Sequence, residues 1–272
     1  MADLPPLSYV RPRDLGEAAE AIARPGACIY AGGTDLVVAL TERRPWALFV
    51  REIVDVKQLE AAQGVRRIGD RLRIGALVTM EELASSALVR RRTPALAEAA
   101  AATAAPALRR RGTIGGNVTT PHPAGDVATA LLALAATVEV LDGPRVRNVP
   151  IATFMAAQAA AWPRQQLIVA VTVATCRRSA FEKAGLRPSF SRSVAAVGVA
   201  VAGGRVTVAL GGMHDRPFVA TAVAAAIADG GAIRAPLAVE CRPPDDGVVS
   251  AAYRFRLAES LIARTLPRAA RR

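Results

Sequence analysis

Ala27-Cys28-Ile29-Tyr30-Ala31-Gly32-Gly33-Thr34-Asp35-Leu36 reads as a buried strand that ends in a glycine pair and passes into a helix, with Thr34 placed to cap a helix over Asp35 to Thr41. A second pair stands in Thr113-Ile114-Gly115-Gly116-Asn117, where the chain turns from Arg-rich to glycine-paired, so Ala107 to Asn117 reads as a loop. Glycine has no β-carbon. It can adopt left-handed dihedrals and let phosphate oxygens approach the backbone, with successive N–H groups pointing into one concavity. Thr34 and Asn117 add side-chain donors, and the helix after Thr34 turns its positive end toward an anion. Read together, the loops are two halves of one anion cradle suited to a diphosphate. Read one at a time, each is also an ordinary turn. In the cradle reading a β-carbon at Gly32 or Gly115 blocks the anion while leaving much of the fold.

Outward from these loops, helices alternate with hairpins. Asp14-Leu15-Gly16-Glu17 is a capping box before Ala18 to Ala23, stopped by Pro25-Gly26. Ile53 to Val56 has strand character, and Val65 to Gly69 pairs with Leu72 to Ala76 about Asp70-Arg71. Thr79-Met80-Glu81-Glu82 opens a short helix, and Thr93-Pro94 opens another over Ala95 to Ala102. Pro121-His122-Pro123 enforces an extended stretch before Asp126, which reads as the cap of an apolar helix over Val127 to Ala135. Val138 to Leu141 and Val146 to Val149 form a hairpin around Asp142-Gly143, and Leu167 to Val173 is a buried strand. The polar run Cys176-Arg177-Arg178-Ser179 marks a domain boundary. Beyond it come strands at Val194 to Ala202 and Val206 to Leu210 about Gly203-Gly204, then helices over Val219 to Ala228 and Ala251 to Leu266.

Composition excludes several classes. The chain has 272 residues, enough for one large domain or two smaller ones. Its 52% hydrophobic content is largely Ala, and no apolar run reaches the roughly 18 residues of a membrane span. Met1 to Val10 lacks the features of a secretion signal, so the expected compartment is the cytoplasm. Cys28, Cys176 and Cys241 are isolated from one another and from His122 and His214, so no metal site is expected. The net charge of +12 invites a nucleic-acid reading. Against it, Arg90-Arg91-Arg92, Arg109-Arg110-Arg111 and Arg268 to Arg272 are dispersed, and six Phe and three Tyr form no RNA-binding box. A solvated face or a docking surface for an acidic partner suits the charge better.

Neither glycine loop is a G-x-G-x-x-G fingerprint or a phosphate-binding G-x-x-x-x-G-K-[ST], and no G-x-S-x-G elbow supports a serine hydrolase. A Rossmann, P-loop or Ser-His-Asp reading is therefore not expected. Asp126 beside a diphosphate would repel it, so its functional role is to accept from a sugar hydroxyl or from loop amides; its plain role is a helix cap.

Ala31-Gly32-Gly33-Thr34-Asp35-Leu36, Arg111-Gly112-Thr113-Ile114-Gly115-Gly116-Asn117, Pro123-Ala124-Gly125-Asp126 and Ala130-Leu131-Leu132-Ala133-Leu134 resemble the FAD-binding medium subunit of molybdenum hydroxylases. That family includes the medium subunit of aerobic carbon monoxide dehydrogenase and the flavin domain of xanthine dehydrogenase. The likeness runs on through Ile74-Gly75-Ala76-Leu77-Val78-Thr79, Phe181-Glu182-Lys183, Leu210-Gly211-Gly212 and Ser250-Ala251-Ala252-Tyr253-Arg254. It implies an α+β fold: a two-lobed FAD-binding domain of the vanillyl-alcohol-oxidase (PCMH) type over 1–176, with lobes of about 1–57 and 58–176. A smaller α/β C-terminal domain of the carbon monoxide dehydrogenase flavoprotein type follows over 177–272.

FAD then lies between the lobes. The resemblance implies cofactor contacts at Ile29, Tyr30, Ala31, Gly32, Gly33, Thr34, Asp35 and Leu36, at Thr113, Ile114, Gly115, Gly116 and Asn117, and at Asp126, Leu167 and Lys183. Lys183 either places a positive charge near the reduced cofactor or is a surface lysine. Where relatives often carry an acidic or aromatic residue before the A-x-V strand, this chain has Ser193, so closure of the outer flavin face differs. The absence of a cysteine-rich insertion argues against the benzoyl-CoA reductase branch. Partners implied are a large molybdenum-cofactor subunit and a small [2Fe–2S] subunit, in a heterotrimer or its dimer, with electrons leaving through FAD to NAD, a quinone, a carrier protein or oxygen. The alternatives are a self-sufficient FAD oxidase of the same fold and a scaffold that has lost its cofactor.

Overall fold

Three strands near the N-terminus, β1 (Ser8–Val10), β2 (Ala27–Tyr30) and β3 (Glu52–Asp55), lie parallel in the order β1-β3-β2 in the computed structural model. The structure describes residues 6–120, 122–161, 166–187, 190–247 and 249–271. Pro121 of the extended stretch, Arg272 of the basic tail and the first five residues of the N-terminal reading lie outside them. Parallel strands need a crossover. Here the helix Leu15–Ile22 connects β1 to β2, and its Asp14 cap accepts from Glu17 N–H. The expected capping box is only half made, because the Glu17 carboxylate turns to Arg13 N–H and the Arg13 guanidinium instead.

A second sheet is antiparallel throughout: β4 (Val65–Ile68), β5 (Arg71–Gly75), β6 (Thr137–Asp142), β7 (Arg145–Pro150) and β8 (Ile168–Ala174), in the order β4-β5-β8-β6-β7. The β4–β5 turn falls one residue earlier than expected, because Gly69 takes the positive φ of 58° and Arg71 already pairs with Ile68. Thr79 and Glu82 complete a full capping box for Met80–Ser85. The expected loop over Ala107 to Asn117 instead holds two short helices, Pro106–Arg109 and Ile114–Thr119, the second capped by Thr113.

The third sheet runs β12-β11-β10-β9, built from β9 (Ser179–Gly185), β10 (Ser193–Ala202), β11 (Arg205–Gly211) and β12 (Phe218–Val219). Polar residues Glu182 and Lys183 obscured its outer strand β9 in the sequence. The helix expected from Val219 starts at Thr221, since Phe218 and Val219 pair with Leu210 and Ala209. The final helix continues through Pro267 to Arg271. Helix Asp126–Ala133, buried at every residue, belongs to the large core that joins the second sheet to Phe181, Ala196 and Ala200 of the third. Burying Val127, Leu131 and Leu132 contributes about 1.5–3 kcal/mol each. That helix also fixes the place of its first residue, Asp126.

Candidate functional site

β2 and β3 end side by side, Tyr30 opposite Asp55, and the first glycine loop leaves from that edge. Gly33 adopts φ 74°, and a β-carbon there would stand 2.4 Å from the Tyr30 ring. Thr34 is not the helix cap. Asp35 occupies that position without a side-chain cap bond, and the Thr34 hydroxyl donates to the Asp35 carboxylate at 3.3 Å. The N–H groups of Gly32, Gly33 and Thr34 find no acceptor among the described residues. Three successive donors are thus available to an anion.

Two cations frame this loop. Lys57 Nζ lies 3.7 Å from the centre of the Tyr30 ring and 2.7 Å from Asp55 Oδ1. Arg111 donates to Gly32 O at 3.3 Å and to the Tyr30 hydroxyl at 3.2 Å. Asp55 is fully buried; burial pushes its carboxyl up, but hydrogen bonds from Lys57 and Tyr9 outweigh this and hold it below the usual range. The adjoining cleft has a volume of about 510 Å³ and is lined by Ala31, Gly32, Lys57, Arg110, Arg111 and Thr113.

The second loop meets the first but differs in its bonding. Ile114 N–H donates to Val78 O and Gly115 N–H to Ala76 O, both at 2.9 Å. Gly116 N–H is taken by Thr113 Oγ1 at 3.2 Å and Asn117 N–H by Thr113 O at 2.9 Å. These amides are committed within the protein, so the expected row of donors in this half is not present. The loop instead gives shape: a β-carbon on Gly32 would fall 2.1 Å from the Arg111 carbonyl oxygen. Asn117 Oδ1 is enclosed with no hydrogen-bond partner among the described residues.

Of the other expected residues, Ile29 and Leu167 line a second cavity of about 860 Å³ with Cys28, Trp46 and Phe49. Burial pushes the Cys28 thiol up to about 11, so it is protonated at neutral pH. Leu36 and Ile114 are buried in core clusters. The three cysteines fall in three different cores.

Asp126 and Lys183, far apart in sequence, meet. Asp126 is the first helical residue rather than the cap, which is Gly125. Its Oδ2 accepts from Lys183 Nζ at 2.6 Å and its Oδ1 from Ser193 Oγ at 2.5 Å. Burial pushes the carboxyl up, against Lys183 and Ser193, which favour the charged form. Lys183 is therefore no surface lysine; it also donates to Ser191 O at 3.1 Å. Nearby, His122 accepts from Ala124 N–H at Nδ1, which assigns its proton to Nε2. Burial and Arg192 hold the His122 pKa below its usual value against the field of Asp35.

Lys57, the Arg111 guanidinium and Ser193 were not among the site residues expected from sequence. Arg111 stood inside a quoted motif and Ser193 at a noted departure, whereas Lys57 carried no local signal.

An α+β fold with free loop amides and cations at the end of parallel strands defines a domain that holds a phosphate-bearing cofactor. The chain belongs to the family described as FAD binding domain in molybdopterin dehydrogenase, which residues 5–175 match, and its cofactor is FAD. It is 34% identical over 146 residues to the medium chain of carbon monoxide dehydrogenase from Hydrogenophaga pseudoflava, covering 53% of this chain and 50% of that one. It is 35% identical over 149 residues to the xanthine dehydrogenase FAD-binding subunit of Escherichia coli O157:H7, covering 54% and 50%. In these alignments the chain spans about half the length of the curated relatives it matches. Among solved structures, carbon monoxide dehydrogenase from Hydrogenophaga pseudoflava lacking the Mo-pyranopterin moiety superposes with a TM-score of 0.88 at 26% identity, over 99% of both chains. The residues present fit FAD, since free amides, two cations and the orphaned Asn117 oxygen offer complements to a diphosphate and to hydroxyl donors.

Proposed function

We propose that this chain is the FAD-carrying electron-transfer subunit of a molybdenum hydroxylase, an oxidoreductase complex. When bound, FAD supplies the ability to take electrons singly and release one or two. The chain's own residues bind, orient and tune it. The N–H groups of Gly32, Gly33 and Thr34 would hold the diphosphate, with Lys57 and Arg111 supplying charge and Thr113 to Asn117 standing opposite. Hydrogen bonds to a charged group are worth about 1.5–3 kcal/mol each, so this loop can account for much of the cofactor's affinity. Ile29 and Leu167 give apolar contacts at the second cavity. Asp126 and Lys183 present an ion pair, closed at 2.6 Å, to the cofactor, where the carboxylate would accept from a sugar hydroxyl and the remaining ammonium proton would be donated. No residue of this chain is required as a general acid or base.

The observation that carries this reading is the row of three unpartnered amides between two cations, inside a chain of this family. In this reading a large subunit would hold the molybdenum cofactor that supplies the hydroxylation chemistry, a small subunit would hold [2Fe–2S] clusters, and this chain's residues would hold the FAD that supplies the route to an external acceptor. The arrangement is a heterotrimer or its dimer, in the cytoplasm. Among the described residues no helix is long and apolar enough to cross a membrane. We divide the chain near 176 into the two-lobed FAD domain and the C-terminal domain, supported by the end of the family match at 175 and the change of sheet after Ala174. Co-expression with the neighbouring subunits, followed by gel filtration, visible spectroscopy and metal analysis, tests the reading. Flavin, [2Fe–2S] and molybdenum in one peak are expected; a flavoprotein that elutes alone with its neighbours present removes the subunit assignment.

A further inference from the structure

Arg254 sits in the first turn of the final helix Ala251–Arg271 and is 4% exposed, although no local sequence pattern asks for a buried cation. Taking a guanidinium out of water is costly unless its arms are met. Two are met. Nη1 donates to Val194 O at 2.6 Å and lies 3.5 Å from Gly212 O, while Nη2 donates to Asp246 Oδ2 at 2.5 Å. Nε is enclosed without an acceptor among the described residues, so the side chain is held for the sake of the other two nitrogens.

The two carbonyls belong to the strand ends that hold Asp126. Ser193, next to Val194, donates to Asp126 Oδ1, and Gly212 N–H donates at 2.8 Å to the carbonyl of Pro123, three residues before Asp126. The guanidinium therefore ties the start of β10 to the end of β11 at the point where both reach the Asp126 segment.

We infer that Arg254 is a positioning residue for the flavin site. It fixes the Ser193–Val194 corner, and through the Ser193 hydroxyl it fixes which way the Asp126 carboxylate presents itself to Lys183. This rests on the placement of Asp126 and Lys183 beside the cofactor. Without the Ser193 bond, Oδ1 loses its donor, the carboxylate is free to turn and the ammonium follows. Outer-shell hydrogen bonds of this kind orient the groups that touch a cofactor without touching it themselves.

The test uses the full chain titrated with FAD, comparing Arg254→Met, Arg254→Lys, Ser193→Ala and the double variant Arg254→Met/Ser193→Ala. The readouts are the FAD dissociation constant, the bound-flavin absorption spectrum and its midpoint potential. Ser193→Ala and Arg254→Met are each expected to weaken FAD binding about fivefold to tenfold and to shift the spectrum alike. The double variant then loses no more than either single one, and Arg254→Lys recovers most of the loss. Additive losses in the double variant overturn the inference. So does an Arg254→Met chain that melts lower yet keeps the wild-type spectrum and potential. If Ser193→Ala alone leaves affinity, spectrum and potential unchanged, the assignment of Asp126 to the flavin falls and the inference falls with it. Asp246→Asn, made on a side chain 46% exposed, covers the case in which Arg254→Met does not fold. It is expected to shift the same readouts in the same direction by less, and no shift overturns the proposal.

Discussion

The two glycine loops are nearly interchangeable on paper and do different things in space. Gly32-Gly33-Thr34 leaves a parallel sheet at its carboxyl end, takes a positive φ at Gly33 and keeps three N–H groups free. Thr113-Ile114-Gly115-Gly116 begins a helix, spends its amides on Ala76, Val78 and Thr113, and follows directly on Arg111-Gly112, the backbone against which Gly32 is pressed. A Gly pair thus signals close backbone approach in both places, but only the first leaves amides to spare, which the proposed function gives to the FAD diphosphate; the second spends its own on neighbouring groups of the protein.

The largest effect that separates them is expected from valine at Gly32 and at Gly115. Gly32→Val drives a β-carbon into the Arg111 carbonyl, so both the loop junction and the free amides are lost. Flavin content after gel filtration should fall below about a tenth of wild type, while overpacking adds a cost of about 1–3 kcal/mol. Gly115→Val meets Ala76 at 2.8 Å and should lower the melting temperature by roughly 2–12 °C, with FAD per folded chain largely kept. Equal flavin loss per folded chain from both variants would break the comparison and put the second loop's backbone at the cofactor.

A smaller effect follows from charge under the first loop alone. The Asp55 carboxyl is held below its unfolded value, so its contribution to stability is present above pH about 4 and is lost as pH falls through the folded value. Wild type should melt above Asp55→Asn at neutral pH, and the gap should close in acid, with flavin retention falling in parallel because Asp55 holds Lys57 over Tyr30. A gap that stays constant from neutral pH into acid removes the electrostatic account of this corner.

The smallest effect is expected at Gly116, where a β-carbon would meet only the Thr113 hydroxyl at 3.2 Å. Gly116→Ala should leave FAD affinity within about twofold and change stability by no more than about 1 kcal/mol, since alanine favours the helix Ile114–Thr119 in which it sits. A strong loss of FAD here would show a cofactor atom lying against this turn.

Much of the architecture was legible because its signals are local. The Thr79–Glu82 box, the Thr93-Pro94 start, the Gly203-Gly204 hairpin and the apolar run into β8 all act within a few residues. Some misplacements come from competition by distant partners. Asp126 looks like a cap, but Lys183 and Ser193 claim its carboxylate, so Gly125 takes the cap position. Strand β9 carries Glu182 and Lys183, the latter open in the sequence to a surface reading, yet both find ionic partners, Arg264 at 2.6 Å for Glu182 and Asp126 for Lys183. The helix Ile151–Ala161 has so little polar contrast that no face stands out.

By itself the sequence determined that backbone would be closely approached at two glycine pairs, that short helices and hairpins would surround them, and that the motif order would match a flavin-binding family. Those are properties of dihedral freedom and of neighbours within one or two turns. Only the tertiary structure decided which glycine amides remain free, because a backbone donor is spent or spared by whatever strand edge packs beside it. It likewise brought Lys57 and Arg111 to the first loop and Lys183, Ser193 and Arg254 to the surroundings of Asp126, through contacts that span 27 to 81 residues and that no local pattern encodes.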